Sequence, residues 1–151
     1  MYNQTMKVIA TNRRAKFDYA ITENLLAGVV LSGSEVKSVK AGHISLKGSF
    51  ATINRGELYL LNAHISPYKY AGALEIDETR SRKLLVHKKE LERLAAMKQS
   101  GLSMVPMAVG VERGFVKIKI GIGRGKRIFD KRETIKKREA KREAAQHQPK
   151  P

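Results

Sequence analysis

The chain of 151 residues contains no cysteine. This absence excludes disulfide bonds, thiolate metal ligands and a cysteine nucleophile. The fold must therefore rest on its hydrophobic core. Because 42% of the residues are hydrophobic, the chain is long enough for one compact domain but leaves little for a second.

Long apolar runs are also lacking. No segment approaches the roughly 18 apolar residues that span a bilayer, and the N-terminal sequence MYNQTMKVIA lacks the apolar centre of a signal peptide. The composition fits a reducing compartment, so we expect a cytoplasmic protein.

Acidic residues are few: 14 Asp and Glu stand against 30 Lys and Arg, giving a net charge of +16. Such a balance favours an anionic partner, most simply a nucleic-acid backbone, although charge alone leaves anionic membranes open. Residues 124–151 hold 11 of the basic and 4 of the acidic residues, so this tail carries +7 and the body +9. The two parts are expected to contact different surfaces.

The residue types needed for enzyme chemistry do not form a recognisable pattern. Four histidines are scattered along the chain, no G-x-S-x-G nucleophile motif occurs, and GIGRG at 121–125 is an incomplete dinucleotide fingerprint without a βαβ context. Asp77 and Glu78 are adjacent acids in a polar loop, where solvation is the usual role. We expect no catalytic residue, metal or cofactor.

Hydrophobic patterning predicts an antiparallel β domain. Residues 17–32 read as a strand that bends near Gly28, and two hairpins are predicted around the turns at 54–56 and 112–114. In the second hairpin Val116 to Ile122 alternate apolar residues with Lys and Gly, which predicts one core face and one cationic face.

Two helices are predicted in the body. A short helix follows Ser34, taken as its N-cap, and ends at Gly42. A longer one, within 87–101, presents Leu91, Leu94 and Ala95 on one face. The order of elements favours a mainly β fold, a small antiparallel barrel of the oligonucleotide-binding (OB) type with flanking short helices, over residues 1–129.

Clusters of basic residues occur in three distant parts of the sequence. Together they support a single anionic partner more strongly than one cluster alone would. The first precedes the aromatic residues Phe17 and Tyr19, a mixture suited to phosphate contacts and base stacking. The clusters are Arg13, Arg14 and Lys16; Arg80, Arg82 and Lys83; and Lys117 and Lys119.

Residues 130–151 form a basic tail with almost no apolar face. After Phe129 only Ile135 and three alanines are apolar, whereas Asp130 and Glu133 resemble a helix-capping pair. An isolated helix of this composition is marginal in water. The tail is therefore predicted to be disordered in the free protein and helical on contact with RNA.

Several motifs together resemble the SmpB family of SsrA-binding proteins. They are NRRAKFDY, AGVVLSGSEVKSVKAG, LYLLNAHISPY, RSRKLLVHKKEL and VKIKIGIGRGKRIFDKRETIKKR, in the family's order from about Asn12 to Arg142. The resemblance implies an OB-like barrel and a non-enzymatic adaptor of bacterial trans-translation. Its partners would be the tRNA-like domain of transfer-messenger RNA (tmRNA) and the ribosome, with the protein acting as a monomer.

The resemblance also implies an RNA-binding surface, although Glu35 could equally orient a neighbouring cation. To this surface we add Lys119, which shares a predicted strand face with Lys117. The residues are Asn12, Arg13, Arg14, Lys16, Glu35, Lys37, Lys40, Leu85, Lys117, Lys119, Arg124, Gly125, Lys126 and Arg127.

In the family the tail enters the empty mRNA channel of a stalled ribosome, next to the decoding centre of the small subunit, and becomes helical against ribosomal RNA. The tail residues implied to contact the ribosome are Phe129, Asp130, Lys131, Arg132, Ile135, Lys136, Lys137 and Arg138.

Three positions depart from the family pattern. Leu26 replaces an acid that precedes Ala27 and Gly28, Glu78 replaces a proline, and Phe129 stands where Tyr or His is common. An RNA contact that the family assigns to this acid cannot be assigned to Leu26.

Two other classes of function remain open. A structural ribosomal protein with a basic extension would co-purify with ribosomes in stoichiometric amounts. A nuclease built on this barrel would need a metal-binding cluster of acids, and the charged residues show none convincingly.

Overall fold

The computed structural model describes residues 6–67, 77–126 and 128–146. Over these ranges the chain forms four helices and nine strands. They are β1 (Lys7–Thr11), α1 (Ala15–Asp18), β2 (Tyr19–Val29), α2 (Gly33–Lys40), β3 (Ile44–Ser45), β4 (Phe50–Asn54), β5 (Glu57–Leu61), β6 (His64–Ile65), β7 (Arg82–Leu85), α3 (Lys88–Gln99), β8 (Ser103–Glu112), β9 (Phe115–Gly125) and α4 (Ile128–Gln146).

Seven strands form one antiparallel sheet in the order β1-β8-β9-β2-β7-β5-β4, and β3 pairs with β6. The sheet curls until Cα atoms of β4 lie within 8 Å of those of β8, but these two strands form no hydrogen-bonded ladder. The predicted mainly β, OB-like class is confirmed. The barrel stays open, because β1 rather than β4 pairs with the free edge of β8.

Both predicted hairpins are present, and each is closed by a two-residue turn. Arg55 and Gly56 have φ of 52° and 75°, and Arg113 and Gly114 have φ of 51° and 82°. Positive φ at both central residues gives the turn twist that matches paired strands.

The alternation of apolar and polar residues in β9 determines which face of the sheet is buried and which is exposed. Val116, Ile118, Ile120 and Ile122 are buried in the main core, whereas Lys117 is only partly buried on the opposite face. Apolar residues of β5, β7 and α3 complete the core, among them Leu58, Leu60, Leu84 and Leu94.

The first strand of the sheet and the start of β2 differ from the prediction. β1 was not predicted; it pairs with β8 at the edge of the sheet. Phe17 lies in the one-turn helix α1 rather than in β2, which begins at Tyr19. A four-residue helix carries too short a pattern to be distinguished from a strand in the sequence.

The N-cap of α2 was predicted two residues too late. Ser32, not Ser34, has extended backbone angles, and its hydroxyl accepts a hydrogen bond from the amide of Glu35 at 3.3 Å. The Glu35 carboxylate in turn accepts from the Ser32 amide at 3.0 Å. This reciprocal capping box fixes where the helix begins.

Helix α3 agrees with the prediction, since Leu94 is buried, Leu91 and Ala95 are partly buried, and Gly101 follows the helix with φ of 87°. None of the helices in the described ranges is long and apolar enough to cross a membrane.

The basic tail forms α4, which begins two residues before the predicted boundary at residue 130. Its described side chains, Arg132, Glu133 and residues 135–142, are exposed to solvent. The helical propensity inferred from the sequence is thus expressed in the structure. The predicted disorder of the tail in the free protein stays a prediction.

Candidate nucleic-acid interface

The outer sheet face, opposite the core, brings together residues that are far apart in the sequence. Gly28 of β2 pairs with Leu85 of β7 on one side and with Lys117 of β9 on the other. Leu85 is 52% exposed although it is a large apolar residue. Strand pairing therefore places an apolar side chain, a glycine and a lysine in one row across the sheet.

A second row lies beside the first. Lys119 pairs with Leu26 of β2 and with Ala108 of β8, so its closest neighbours across the sheet are apolar. Among the described residues, no carboxylate forms an ion pair with Lys117 or Lys119. Both ammonium groups therefore keep their capacity to bind phosphate.

A groove of about 510 Å³ connects this face with the N-terminal basic cluster. Its lining combines four basic residues and one acid, Glu112, with apolar residues such as Leu26 and Met107. The candidate residues that line it are Asn12, Arg13, Lys16, Lys119 and Arg138. The structure thus joins two of the three predicted basic clusters into one surface.

Two guanidinium groups lie near the ring of Phe17. Those of Arg14 and Arg138 lie 5.0 Å and 5.9 Å from its ring centroid. Arg14 also forms an ion pair with Asp18, one turn further along α1, at 3.5 Å. A base that stacks on Phe17 must replace one of these cation–π contacts.

The predicted residues at the end of β9 lie beside α1. Arg124 and Gly125 pair with Ala20 and Tyr19, and the amide of Lys126 donates to the carbonyl of Asp18 at 2.8 Å. Arg124 and Gly125 are exposed. This segment therefore continues the N-terminal basic surface.

Asn12 also has a structural contact, because its side-chain amide donates to the carbonyl of Pro106 at 3.0 Å. In α2, Lys37 and Lys40 are exposed. Neither lysine lies on the strands that form the outer sheet face.

Glu35 is buried, which favours the structural role that the sequence left open for it over a direct contact with RNA. The residue is 2% exposed, and its carboxylate accepts hydrogen bonds from Arg80 and from Nε of Arg82, the latter at 2.8 Å. These two hydrogen bonds agree with the alternative, in which Glu35 orients a neighbouring cation. A single acid cannot be assigned to a surface or an interior from local sequence, because its burial depends on partners 45 and 47 residues away.

The second predicted basic cluster is consequently not a free cationic patch. Arg82 is completely buried, and its guanidinium donates to the carbonyls of Ala63 at 2.8 Å and Glu78 at 2.9 Å. Lys83 pairs with Glu57 at 3.1 Å. Arg82 thus joins β7 to α2, to the residue before β6 and to the segment before β7, and Lys83 joins β7 to β5.

The environment of Glu35 changes its pKa in two directions. Burial raises the pKa, but hydrogen bonds from Arg80, the Ser32 amide and Arg82 outweigh it and keep the pKa of the carboxyl below its ordinary value.

Because the folded-state pKa of Glu35 is depressed, its ionisation contributes stability that is present above the unfolded pKa and is lost as pH falls through the folded one. As the pH is lowered below about 4.5, we expect the free energy of unfolding of the wild type to decrease. Urea unfolding followed by circular dichroism from pH 7 to pH 3 measures this loss. A Glu35→Gln variant should show a smaller decrease, and an identical decrease would contradict the assignment to Glu35.

Part of the predicted tail surface lies where side chains are not described. Arg127 lies outside the described residues, and Phe129, Asp130 and Lys131 are described only as part of the α4 backbone. The remaining predicted tail residues are exposed on α4: Arg132, Ile135, Lys136, Lys137 and Arg138.

Gly28 was missed as a member of this surface, because its position was interpreted only as a bend in β2. The available signal was a glycine within a strand, which often marks a close approach of another backbone or a ligand. In the ranges that the structure describes, no group of three or more His, Asp or Glu residues could hold a metal ion.

Comparison with known proteins gives consistent results. The family model described as SmpB protein matches residues 9–150. The SsrA-binding protein of Caldicellulosiruptor saccharolyticus is 48% identical over 139 residues, covering 91% of this chain and 88% of the relative. That of Latilactobacillus sakei is 50% identical over 139 residues, covering 91% and 89%, and that of Bacillus subtilis is 46% identical over 138 residues, covering 91% and 88%.

A solved structure described as "tmRNA-SmpB: a journey to the center of the bacterial ribosome" contains a similar chain. The TM-score is 0.65 and the sequence identity 43%, over 87% of this chain and 94% of the matched one. Both the sequence and the fold therefore have counterparts in the same group of proteins.

Proposed function

The chain belongs to the SmpB family, and from this membership we propose that it is the RNA-binding adaptor that brings tmRNA to stalled ribosomes. It binds tmRNA and acts in trans-translation on ribosomes, and it is an RNA-binding factor rather than an enzyme. Its place of action is the cytoplasm, where ribosomes translate.

The observation that carries this function is the outer sheet face with its adjoining groove. Lys117 and Lys119 have no acidic partner among the described residues, and Arg13 and Lys16 extend the same surface at the rim of the groove. When a polyphosphate binds these four basic residues, it releases its condensed counterions, and this release increases the affinity. Exposed Leu85 adds an apolar contact for a ribose or base.

We assign the tRNA-like domain of tmRNA to this body surface and the mRNA channel of the ribosome to α4. The residues of α4 are polar on average, and its described side chains, including that of Ile135, are exposed. A helix without an apolar stripe suits a channel lined with phosphate better than an apolar protein groove. The tail would then report whether the channel is free of mRNA.

The test is to sequence the RNA that co-purifies with the protein from its native cell at moderate salt. One dominant species with a tRNA-like end joined to a short reading frame supports the adaptor function. Stoichiometric ribosomal RNA without that species would instead assign the chain to the structural ribosomal proteins.

Replacement of Lys117 with alanine should weaken binding to the tRNA-like domain. Loss of one phosphate contact lowers the slope of log affinity against log salt concentration by about 1. Fluorescence anisotropy at four or five salt concentrations measures the slope. Lys47→Ala, which removes another exposed lysine outside the proposed surface, serves as the control and should leave the slope unchanged. An unaltered slope in Lys117→Ala would remove that lysine from the interface.

A further inference from the structure

Strand β8 contains a bulge at Met107. The pairing of β8 with β9 shifts between Pro106 and Ala108, which leaves Met107 as an extra residue between them. The pairing of β8 with β1 ends at the same point, where Thr11 lies opposite Ala108. The carbonyl groups of Pro106 and Met107 therefore lie just beyond the β1 ladder, where they can accept hydrogen bonds from the chain that leaves β1.

Asn12, the residue after β1, makes three hydrogen bonds between this bulge and α1. Its backbone amide donates to the carbonyl of Met107 at 2.8 Å, and its side-chain amide donates to the carbonyl of Pro106 at 3.0 Å. Its own carbonyl accepts a hydrogen bond from the amide of Ala15, the first residue of α1, at 3.2 Å. Asn12 therefore joins the start of α1 to the bulge.

A small apolar cluster holds α1 at the same place. Ala15 is 2% exposed and packs with Val105 and Met107 in a cluster that is separate from the main core. Gly121 leaves room for this cluster, because a Cβ at that position would lie 2.8 Å from Cγ and Sδ of Met107. The bulge thus holds α1 by apolar packing as well as by hydrogen bonds.

Helix α1 depends on such contacts, because four residues are too few to form a stable helix in water. Its N-cap residue, Arg14, makes no side-chain capping hydrogen bond within the described ranges. The far end of α1 is tied to the residue after β9, since the amide of Lys126 donates to the carbonyl of Asp18 at 2.8 Å. At the N-terminal end, Asn12 supplies the corresponding tie.

Two basic residues next to this tie face the groove beside the outer sheet face. Arg13 and Lys16 are exposed and line the groove together with Asn12. We propose that Asn12 is a positioning residue for RNA binding: through the bulge it orients Arg13 and Lys16 toward the RNA, and it does not act as an RNA contact itself. This inference rests on the proposed function, since it explains how the cations of that function are oriented.

Positioning and direct contact differ in their dependence on salt. Because Asn12 is neutral, a direct hydrogen bond from its side chain to RNA would contribute affinity without releasing a counterion. If α1 is displaced instead, two cations leave the interface together. The slope of log affinity against log salt concentration then falls by about 2.

The test is the variant Asn12→Ala, measured by fluorescence anisotropy with the tRNA-like domain of tmRNA at four or five salt concentrations. Affinity should fall about tenfold and the slope by about 2. In a protein that already carries Arg13→Ala and Lys16→Ala, the same substitution should cause little further loss, because it acts through those two residues. A slope equal to that of the wild type, or a full tenfold loss in the substituted background, would overturn the positioning role.

Asn24→Ala is the matched control. Asn24 is exposed and lines the same groove, but its side chain makes no hydrogen bond within the described parts of the chain. Its replacement should leave both affinity and slope unchanged. If the two asparagine variants behave alike, the hydrogen bond from Asn12 to the bulge has no role in RNA binding.

Amide hydrogen exchange shows whether α1 moves while the rest of the fold stays intact. In Asn12→Ala the amides of Phe17 and Asp18, which both donate to the carbonyl of Arg14, should exchange faster. The amides of the central strand β9 should keep their protection. Unchanged exchange in α1 would overturn the proposal, and a loss of protection throughout β9 would show that Asn12 supports the whole fold instead.

The same measurements separate this inference from the function on which it rests. A wild-type protein that binds the tRNA-like domain no better than an unrelated RNA hairpin contradicts the proposed function. A wild type that binds selectively, together with an Asn12→Ala variant of unchanged slope, contradicts only the positioning role.

Discussion

Replacement of Glu35 with alanine should lower the free energy of unfolding by about 3–5 kcal/mol, a large part of the stability of an ordinary domain. The substitution leaves the guanidinium of Arg82, which is completely buried, without its charged partner. Loss of the capping box at Ser32 adds to the effect. Urea unfolding monitored by circular dichroism at pH 7 measures the change.

The appropriate control is Glu57→Ala. Glu57 pairs with Lys83 at 3.1 Å, but both side chains are about 45% exposed, so solvent screens the pair and it adds little to stability. A Glu35→Ala variant that loses no more stability than Glu57→Ala would show that the carboxylate does not hold α2 and β7 together. Because Arg80 also pairs with Glu35, the variant should in addition release that partly exposed arginine from its fixed position.

Deletion of residues 131–151 should abolish tagging of peptides on stalled ribosomes and leave affinity for the tRNA-like domain within about twofold. The body retains the outer sheet face, whereas the deleted segment contains most of α4. A translation assay on a non-stop mRNA measures tagging, and fluorescence anisotropy measures affinity. The deletion also removes the contact of Arg138 with the ring of Phe17, whereas the nearer contact of Arg14 remains.

A charge-reversal variant, with the exposed residues Lys136, Lys137 and Lys141 changed to Glu, is the matched control for chain length and leaves Arg138 of the groove unchanged. It should also fail in tagging, because the like charges of the channel phosphates would repel it. A loss of RNA affinity comparable to the loss of tagging would contradict the division into two binding surfaces. Retained tagging in both variants would contradict a role for the tail on the ribosome.

The local features of the fold could be predicted from the sequence because their signals lie within a few residues. The alternation in 115–123 and the turn at 113–114 determine the last hairpin, and the spacing of Leu91, Leu94 and Ala95 determines α3. The wrong N-cap of α2 was a signal missed rather than absent. Ser32 has a glutamate three residues later, as a capping box requires, whereas Ser34 has Lys37 at that position.

Charge and composition alone indicated a polyanionic partner, most simply a nucleic acid, and a separate basic tail, since net charge does not depend on the fold. They could not show which basic residues reach the ligand. Arg82 and Glu35 lie inside the protein, whereas Leu85 lies outside it. These assignments follow from which strands become neighbours, and that choice reflects burial of the whole sheet rather than any local pattern.

By itself the sequence determined the mainly β class, the hairpins, α3 and the polyanionic nature of the partner, because periodicity and net charge are properties of short segments and of composition. Only the tertiary structure placed Gly28 between Leu85 and Lys117 and paired the buried Glu35 with Arg82. The physical reason is that these contacts join residues tens of positions apart. Their geometry comes into existence only when the strands pair and the core closes.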